Sequence, residues 1–180
     1  NKHMDMLVTR LLDLSRVERR DNLSNLVLIN VKAIVIGVVK KTSRAGNIAK
    51  KNIIFKYEIS EDIQLKAERL LFEQAIGNIV NNAIDFSPDG GTITIKATQT
   101  NSAVNIVVLD EGPGIPVQVM SKLFTRFFSV SRPDTGKRST GLGLRFVKKI
   151  MQLHGGEITL NNRFFQAGTE AMLRFPLTVK

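Results

Sequence analysis

Four polar side chains share one face of a predicted helix. They are spaced four, four and three residues apart, which aligns them along the helix in the order Gln74, Asn78, Asn82 and Asp85. Solvated helix faces usually carry lysine, glutamate and arginine, whereas asparagine is a poor helix former. Amide oxygens can bind Mg²⁺, or a water molecule on a phosphate, without adding negative charge. We therefore interpret this stripe as a ligand-binding face rather than a solvated one.

A second candidate follows a predicted strand directly, at residues 110–116 (DEGPGIP). The carboxylate of Asp110 can accept a hydrogen bond from an adenine amino group, Gly112 and Gly114 let the backbone pass close to a flat base, and Ile115 can cover it. Guanine would present a carbonyl oxygen to the same acceptor, so such a site can discriminate by up to ~10⁴-fold. Taken alone, the segment is equally compatible with a tight turn.

The third candidate is residues 139–144 (STGLGL), which lead into another predicted helix. Glycines before a helix expose backbone N–H groups and the positive end of the helix dipole to phosphate. The segment is not a Rossmann fingerprint and lacks the Walker lysine, so without its neighbours a plain turn is the commoner interpretation. The candidate phosphate-binding residues are Thr140, Gly141, Leu142, Gly143 and Leu144.

Between the second and third candidates lies a phenylalanine-rich segment, residues 124–128 (FTRFF), followed by a basic loop. The phenylalanines are compatible with a place in the core. A basic loop beside a phosphate site instead favours a lid that closes on a nucleotide. On that interpretation, the nucleotide-contacting residues are Phe127, Arg132, Lys137 and Arg138.

The hydrophobic pattern predicts the elements that position these residues. Apolar residues at helical spacing predict helices over residues 4–19, 31–44, 68–86, 117–124 and 142–153. Alternating patterns predict strands over residues 52–59, 63–67, 92–98, 103–109, 157–161 and 171–176. The result is an α+β fold, a two-layer sandwich with a mixed sheet and helices on one face. The first helix, followed by a polar linker at 19–25, either folds back on the domain or forms half of a dimerising hairpin.

Composition narrows the classes of protein. The 180 residues contain no cysteine, which excludes disulfides and thiolate metal sites, and no apolar run approaches the ~20 residues of a membrane helix. We therefore expect the given chain to be soluble by itself. The net charge of +10 is spread along the sequence, with one tyrosine and no tryptophan, so we interpret it as a solvated basic surface and expect no nucleic-acid partner. Residues 1–4 resemble a tag remnant, and His3 receives no role.

The order of these motifs resembles the N, G1, F and G2 boxes of the histidine-kinase ATP-binding domain. That domain belongs to the superfamily of DNA gyrase, MutL and the ninety-kilodalton heat-shock chaperone. The resemblance runs from about Asn25 to the end, and Gly168-Thr169 matches a further glycine-threonine box. The DLSRVE segment of the first helix resembles the second helix of the family's dimerisation hairpin. The sequence around NAIDFSP and STGLGLRFV is most similar to that of CreC-type sensor kinases.

The resemblance implies a Bergerat-type ATP-binding fold over residues 21–180 and the C-terminal helix of a phosphoacceptor hairpin over residues 1–20. It implies ATP and Mg²⁺ as cofactors, with Asn78 ligating Mg²⁺ and Asn82 contacting phosphate. Asp110 would hold the adenine amine, with Thr169 near the base and residues 141–144 along the phosphates. Asn78 and Asn82 are thus the expected catalytic residues.

The resemblance also implies a reaction and its partners. The γ-phosphoryl group of ATP would pass to a histidine and then to the receiver domain of a response regulator, in a homodimer joined through the N-terminal helix region. The chain would be the cytoplasmic portion of a bacterial sensor anchored in the inner membrane by segments missing here. The phosphoacceptor histidine is absent, because neither His3 nor His154 matches its motif, and we expect His154 to be structural.

Two positions depart from the family pattern. Most relatives carry a lysine where Asp85 stands, and many carry an arginine where Ser129 stands. We expect Asp85 to point away from the phosphates and Arg132, Lys137 or Arg138 to supply the cation. The alternatives are a non-catalytic ATP-sensing module, a gyrase- or MutL-like ATPase and a serine kinase of the anti-sigma type. The hydrolysing members carry a glutamate at the position of Asn78, which speaks against the ATPase.

Overall fold

The computed structural model describes residues 2–43, 51–136 and 139–177. Within these ranges, the α-helices are α1 (Lys2–Glu18), α2 (Val31–Ser43), α3 (Arg69–Phe86) and α4 (Gly143–Leu153), with a 3₁₀ helix at Val117–Lys122. The strands are β1 (Leu26–Asn30), β2 (Ile54–Ile59), β3 (Gln64–Glu68), β4 (Thr92–Gln99), β5 (Ala103–Leu109), β6 (Glu157–Asn162) and β7 (Thr169–Pro176). Over the part of the chain described, no helix is both long and apolar enough to span a bilayer.

The main sheet has five strands in the order β2-β4-β5-β7-β6. The β2–β4 pair is parallel and the other pairs are antiparallel, so the sheet is mixed. Alternate residues of its central strands are buried, among them Ile93 and Ile95 on β4 and Ile106 and Val108 on β5. They pack with α3 and α4 into one hydrophobic core. The predicted α+β sandwich with a mixed sheet is confirmed.

Strand β1 is the element that the sequence pattern did not predict. It pairs with β3 in a separate two-stranded sheet. Only Ile29 of this strand is buried, and Leu28 is 68% exposed, so no alternation of buried and exposed residues marks it. The strand runs directly into α2, whose first turn is capped by the side chain of Asn30, which accepts a hydrogen bond of 2.8 Å from the Ala33 N–H.

Helix α3 forms because its apolar residues recur at helical spacing and all face the core. The buried set is Leu71, Phe72, Ala75, Ile76, Ile79, Val80, Ala83 and Ile84. The helix ends where Ser87 takes an extended conformation before Pro88, since proline cannot continue it. The ammonium group of Lys51 binds the carbonyls at this end, at 2.8–3.0 Å from the oxygens of Ile84, Asp85 and Ser87.

Helix α1 lies against α4, with Leu14 and Val17 buried between them and the rest of the core. Glu18, in its last turn, pairs with Arg145 at 3.1 Å and also with Arg126. The helix is therefore packed on the domain. Its other face leaves apolar side chains exposed, namely Met4, Val8, Leu11 and Leu12. A dimerising role for this face stays a prediction.

The linker after α1 is fastened to the start of α3 through Glu68. The Arg20 guanidinium donates to both carboxylate oxygens, at 2.8 and 2.6 Å, and the Ser24 N–H donates at 3.0 Å. The bond from Arg20 lowers the pKa of Glu68 to about 2. Next to this pair, His154 is buried, and its Nε2 accepts from the Glu68 N–H while Nδ1 bonds to the Ile150 carbonyl. Burial lowers the pKa of His154, in keeping with a neutral, structural imidazole.

We expect Glu68→Gln to destabilise the fold on the order of 2 kcal/mol at pH 7, because the ionised carboxylate is bound more strongly in the folded chain. The folded pKa is depressed from 4.5 to about 2, so this contribution is present above pH 4.5 and lost as the pH falls toward 2. Urea unfolding of both proteins between pH 7 and pH 3 measures it. The control is Glu61→Gln, because the side chain of Glu61 is 81% exposed in its ion pair with Lys32. A stability difference that does not shrink on acidification would contradict this explanation.

Candidate functional site

A pocket opens between α3, the carboxyl end of β5 and the segment that leads into α4. Half of the residues predicted to bind a ligand line it, drawn from four separate parts of the chain. They are Asn82, Asp110, Gly114, Ile115, Gly141, Gly143, Leu144 and Thr169. Its remaining wall is mostly apolar, including Ile79, Phe86, Val108, Leu123 and Leu160. An apolar slot with a few fixed polar groups suits a flat heterocycle.

Asp110 lines this pocket and is 6% exposed. Its Oδ1 accepts hydrogen bonds from the N–H of Gly112 at 2.8 Å and of Thr169 at 3.0 Å. Burial raises the pKa of Asp110, and these backbone donors oppose the rise. The carboxyl group is therefore held in one orientation at the pocket wall, as an acceptor for a ligand's N–H must be.

The loop after Asp110 is held in place by residues that the sequence reasoning missed. The Asn162 side chain accepts from the Ile115 N–H at 2.6 Å and donates to the Ile115 carbonyl at 2.9 Å. The Arg163 guanidinium donates to the Asp110 carbonyl at 2.9 Å. At Gly114, where φ is +80°, a Cβ atom would lie 2.7 Å from Asn162 Oδ1, so only glycine fits. Nothing in the local sequence marks Asn162 or Arg163, because their partners Ile115 and Asp110 lie 47 and 53 positions away in the sequence.

Asn78 lies one turn before Asn82 on α3 and lines a separate polar cleft rather than the apolar pocket. Its Nδ2 donates to the Gln74 carbonyl at 2.8 Å. Because a carbonyl can only accept, this bond fixes which end of the amide is nitrogen. Oδ1 is left on the side of Gly143, where a Cβ atom would lie 2.9 Å from it. The amide oxygen is thus available to a cation or a water molecule.

The segment before α4, residues 139–142, forms another wall of the pocket. Gly141 has a φ of +67°, and its carbonyl accepts a bond of 3.1 Å from the Phe127 N–H. Leu142 is buried in the core, so it can offer a ligand only its backbone. Thr140 Oγ1 faces Arg10 of α1, at 3.5 Å from its guanidinium.

Only part of the predicted lid lines the pocket. Phe128 lines the pocket, whereas Phe127 does not. The side chain of Phe127 is 63% exposed, and its φ is +62°. Lys137 and Arg138, expected to supply a cation, lie outside the described residues.

Gly112, another residue predicted to bind a ligand, does not line the pocket. It packs against α3, where a Cβ atom would meet the Phe86 carbonyl at 2.7 Å.

Asp85 is paired with Arg132, one of the lid residues considered as a phosphate cation. The Asp85 carboxyl is largely buried, which raises its pKa, and the guanidinium of Arg132 opposes that rise. Next to this pair, Lys51 binds Asp134 at 3.0 Å. The two ion pairs fasten the lid segment to the carboxyl end of α3. Arg132 is thus held by Asp85, and its Nε is buried without a hydrogen-bond partner.

We expect Arg132→Ala to cost about 2 kcal/mol of stability, because it leaves the partly buried Asp85 carboxylate without its partner. The double variant Asp85→Asn/Arg132→Ala should recover most of this loss, since no buried charge remains. A double-mutant cycle by urea unfolding measures the coupling. Lys96→Ala, which breaks an exposed pair with Glu58, is the matched control, with an expected change within about 0.5 kcal/mol. Additive single-variant effects would show that the pair does not hold the lid.

The chain matches known proteins in sequence. Residues 67–179 match the family "Histidine kinase-, DNA gyrase B-, and HSP90-like ATPase". The chain is 39% identical over 174 residues to the sensor protein CreC of Escherichia coli strain K12, covering 97% of this chain and 35% of that protein. It thus spans about a third of the length of that relative. The predicted likeness to CreC-type sensor kinases is confirmed.

Solved structures of histidine kinases have the same fold as this chain. The catalytic domain of the histidine kinase ThkA, in a nucleotide-free form, superposes with a TM-score of 0.74 at 29% identity, covering 87% of this chain and 100% of that domain. The structure of ThkA in complex with the response regulator TrrA matches with a TM-score of 0.79 at 27% identity, over 98% of this chain and 49% of that one.

The fold and the pocket define an ATP-binding domain of the α+β sandwich class. The chain belongs to the histidine kinase-, DNA gyrase B- and HSP90-like ATPase family, and its sequence and fold are those of the ATP-binding catalytic domain of sensor histidine kinases.

Proposed function

We propose that this domain binds Mg-ATP and transfers the γ-phosphoryl group to a histidine on a helical hairpin that precedes it in the parent protein. From there the phosphoryl group would pass to the receiver domain of a response regulator. The observation that carries the proposal is Asp110, a buried carboxylate held by two backbone N–H groups in the wall of an apolar slot.

In this proposal, Asp110 accepts the adenine amino group, and Ile115 and Leu144 cover the base. Thr169, whose N–H already bonds to Asp110, lies beside the base. The phosphates run along α3 from Asn82 toward Asn78. The first turn of α4 adds backbone N–H groups and the positive end of its dipole.

Asn78 is the proposed Mg²⁺ ligand. The hydrogen bond from its Nδ2 to the Gln74 carbonyl turns Oδ1 toward Gly143, and an amide oxygen suits a hard cation. When bound, Mg²⁺ would neutralise charge on the phosphates. The protein's own contribution is to hold the polyphosphate along α3 and to orient its terminal group.

The amide at Asn78 also supports transfer rather than hydrolysis. General-base activation of water requires a group that takes up a proton at neutral pH, and an amide does not. The acceptor is therefore proposed to be a side chain outside this chain. A histidine fits, since α1 continues the likeness to kinases of this class beyond the ATP-binding domain.

We further propose that residues 1–20 are the second helix of the phosphoacceptor hairpin and residues 21–180 the catalytic domain. The exposed apolar face of α1 supports a homodimer joined through this region. The ThkA–TrrA complex supports a response-regulator receiver domain as the partner. The likeness to CreC supports a cytoplasmic position in a sensor anchored by segments outside this chain.

The experiment restores the missing hairpin. The parent protein, carrying its upstream histidine, is incubated with [γ-³²P]ATP, and acid-labile label on the protein is measured with and without Asn78→Ala. The proposal expects label that disappears in the variant, and label that moves to an added receiver domain. Protein that binds ATP but never acquires label would favour the second candidate, a non-catalytic ATP-sensing module.

One observation favours that second candidate. The family resemblance leads us to expect a phosphate-reaching lysine at the position of Asp85, and Arg132 of the lid is engaged by Asp85 and does not line the pocket. If no other cation reaches the terminal phosphate, ATP binding can persist while transfer is slow.

A further inference from the structure

The polar cleft beside Asn78 is built from three helices. On one side lie Gln74, Asn78 and Asn81 of α3 and Gly143 of α4, and on the other lie Arg10 and Asp13 of α1. Gly143 borders both this cleft and the apolar pocket, so the two adjoin at the start of α4. The N-terminal helix thus forms a wall of the region next to the proposed metal ligand.

Arg10 is the cation in this wall. Its guanidinium donates to Thr140 Oγ1 at 3.5 Å, across 130 positions of sequence. The neighbouring Asp13 lies 3.8 Å from Arg16 on the same helix. One to two turns further along, Leu14 and Val17 are buried and Glu18 binds Arg145. The packing of α1 therefore sets the position of Arg10.

Several other described cations around the site are committed to protein groups. They are Arg132 on Asp85, Lys51 on Asp134 and three backbone carbonyls, Arg126 and Arg145 on Glu18, Arg163 on the Asp110 carbonyl, and Lys148 over the Phe124 ring. Arg10, in contrast, meets a neutral hydroxyl at the long end of the hydrogen-bond range. A guanidinium in this position remains able to exchange that contact for a phosphate, which it can bind through two parallel N–H donors.

A nucleotide bound with its base at Asp110 would have its terminal phosphate near Arg10. Asp110 and Asn82 share the apolar pocket, while Asn78, one turn earlier on α3, shares the cleft with Arg10. A nucleotide with its base at Asp110 therefore extends its last phosphate toward Asn78 and α1.

We propose that Arg10 is a nucleotide-binding residue, and that the N-terminal helix supplies the cation for the terminal phosphate that Asp85 does not. The proposal rests on the proposed function and adds a residue from outside the ATP-binding domain. It follows that displacing α1 from α4 would weaken the binding of ATP.

The test compares nucleotides that differ only in phosphate number. Mg-ATP, Mg-ADP and AMP are titrated by calorimetry into the wild type, Arg10→Ala, Arg10→Lys and Arg19→Ala. Arg19 is an exposed arginine just after α1, and its removal changes the net charge equally. We expect Arg10→Ala to weaken ATP binding by ~10-fold or more, ADP binding less, and AMP binding not at all, since the lost contact is one charge-assisted bond to the last phosphate. Arg10→Lys should recover part of the loss, and Arg19→Ala should bind as the wild type.

The results separate the two levels of the proposal. Wild-type binding of ATP with no effect of Arg10→Ala, or with equal weakening for all three nucleotides, would overturn the role of Arg10 and leave the proposed function in place. Equal losses in Arg19→Ala would also overturn it, since long-range charge would then be the cause. Wild-type protein that binds none of the nucleotides would overturn the proposed function and, with it, the role of Arg10.

Discussion

Replacing Asp110 by asparagine is expected to weaken ATP binding about 100-fold, because the amide cannot satisfy both sides of the site. If its oxygen keeps the bonds to the Gly112 and Thr169 N–H groups, its NH₂ faces the adenine NH₂. If the amide is turned over, its NH₂ faces the two backbone donors. In either orientation two donors oppose each other in a buried place. Calorimetric titration with Mg-ATP measures the loss.

The control for this substitution is Glu111→Gln. Glu111 is the next residue, is exposed, and accepts from the Thr92 N–H at 2.8 Å, a bond that glutamine can retain. Both variants lose one negative charge within the same loop. We expect Glu111→Gln to bind ATP within about twofold of the wild type, since exposed charges contribute little. Similar losses in the two variants would show that the charge of the loop matters and the position of Asp110 does not.

Gly141→Ala is expected to have an effect of similar size, for a steric reason. A Cβ atom at this position would lie 2.4 Å from the Phe127 carbonyl carbon and 2.6 Å from the Phe128 nitrogen. Neither is the end of a flexible side chain, so the backbone of the lid or of the segment before α4 must move. The bond from the Phe127 N–H to the Gly141 carbonyl would then be lost. We expect ATP affinity to fall by about 100-fold, since misplaced backbone donors leave buried hydrogen bonds to the ligand unmade, at a cost of about 1–3 kcal/mol.

Gly90→Ala separates the clash from backbone strain. Gly90 has a φ of +73°, close to the +67° of Gly141, but no atom lies within 4 Å of its Cβ position. Both alanines therefore bear the left-handed strain of about 1 kcal/mol, and only one meets the lid backbone. Urea unfolding of Gly90→Ala should show the strain cost of about 1 kcal/mol. Calorimetric titration should show that its affinity for ATP is unchanged. A Gly141→Ala protein that binds ATP normally would remove this segment from the proposed site.

The sequence was most informative where one periodicity governs a whole element. Helix α3 was predicted over residues 68–86 and runs Arg69–Phe86, because an unbroken apolar stripe faces a single core. Strand β1 was missed because its stability comes from pairing with β3, and one buried residue in five leaves no pattern to detect. Pairing partners distant in sequence cannot be read from the strand itself.

For the site, motifs predicted the residues, and the structure supplied how they are held. The approach of residues 110–116 to Thr169 was expected from the motif order, but the clamp of Asn162 on Ile115 spans 47 positions without a local signal. The same holds for Arg132. The sequence offered it as a phosphate cation, whereas its partner is Asp85, a pairing that depends on how the lid folds over the end of α3. Arg10 lay in a helix that was considered for packing on the domain or for dimerisation, and not for binding a nucleotide.

The most direct test of an adenine-nucleotide site at Asp110 is calorimetric titration of the wild-type chain with Mg-ATP and, separately, with Mg-GTP. We predict ATP binding in the micromolar to low millimolar range and GTP binding at least about 100-fold weaker, because the guanine carbonyl would face the Asp110 carboxylate. Equal affinity for the two nucleotides would contradict the placement of the base against Asp110. Absence of binding to both would contradict the nucleotide site itself.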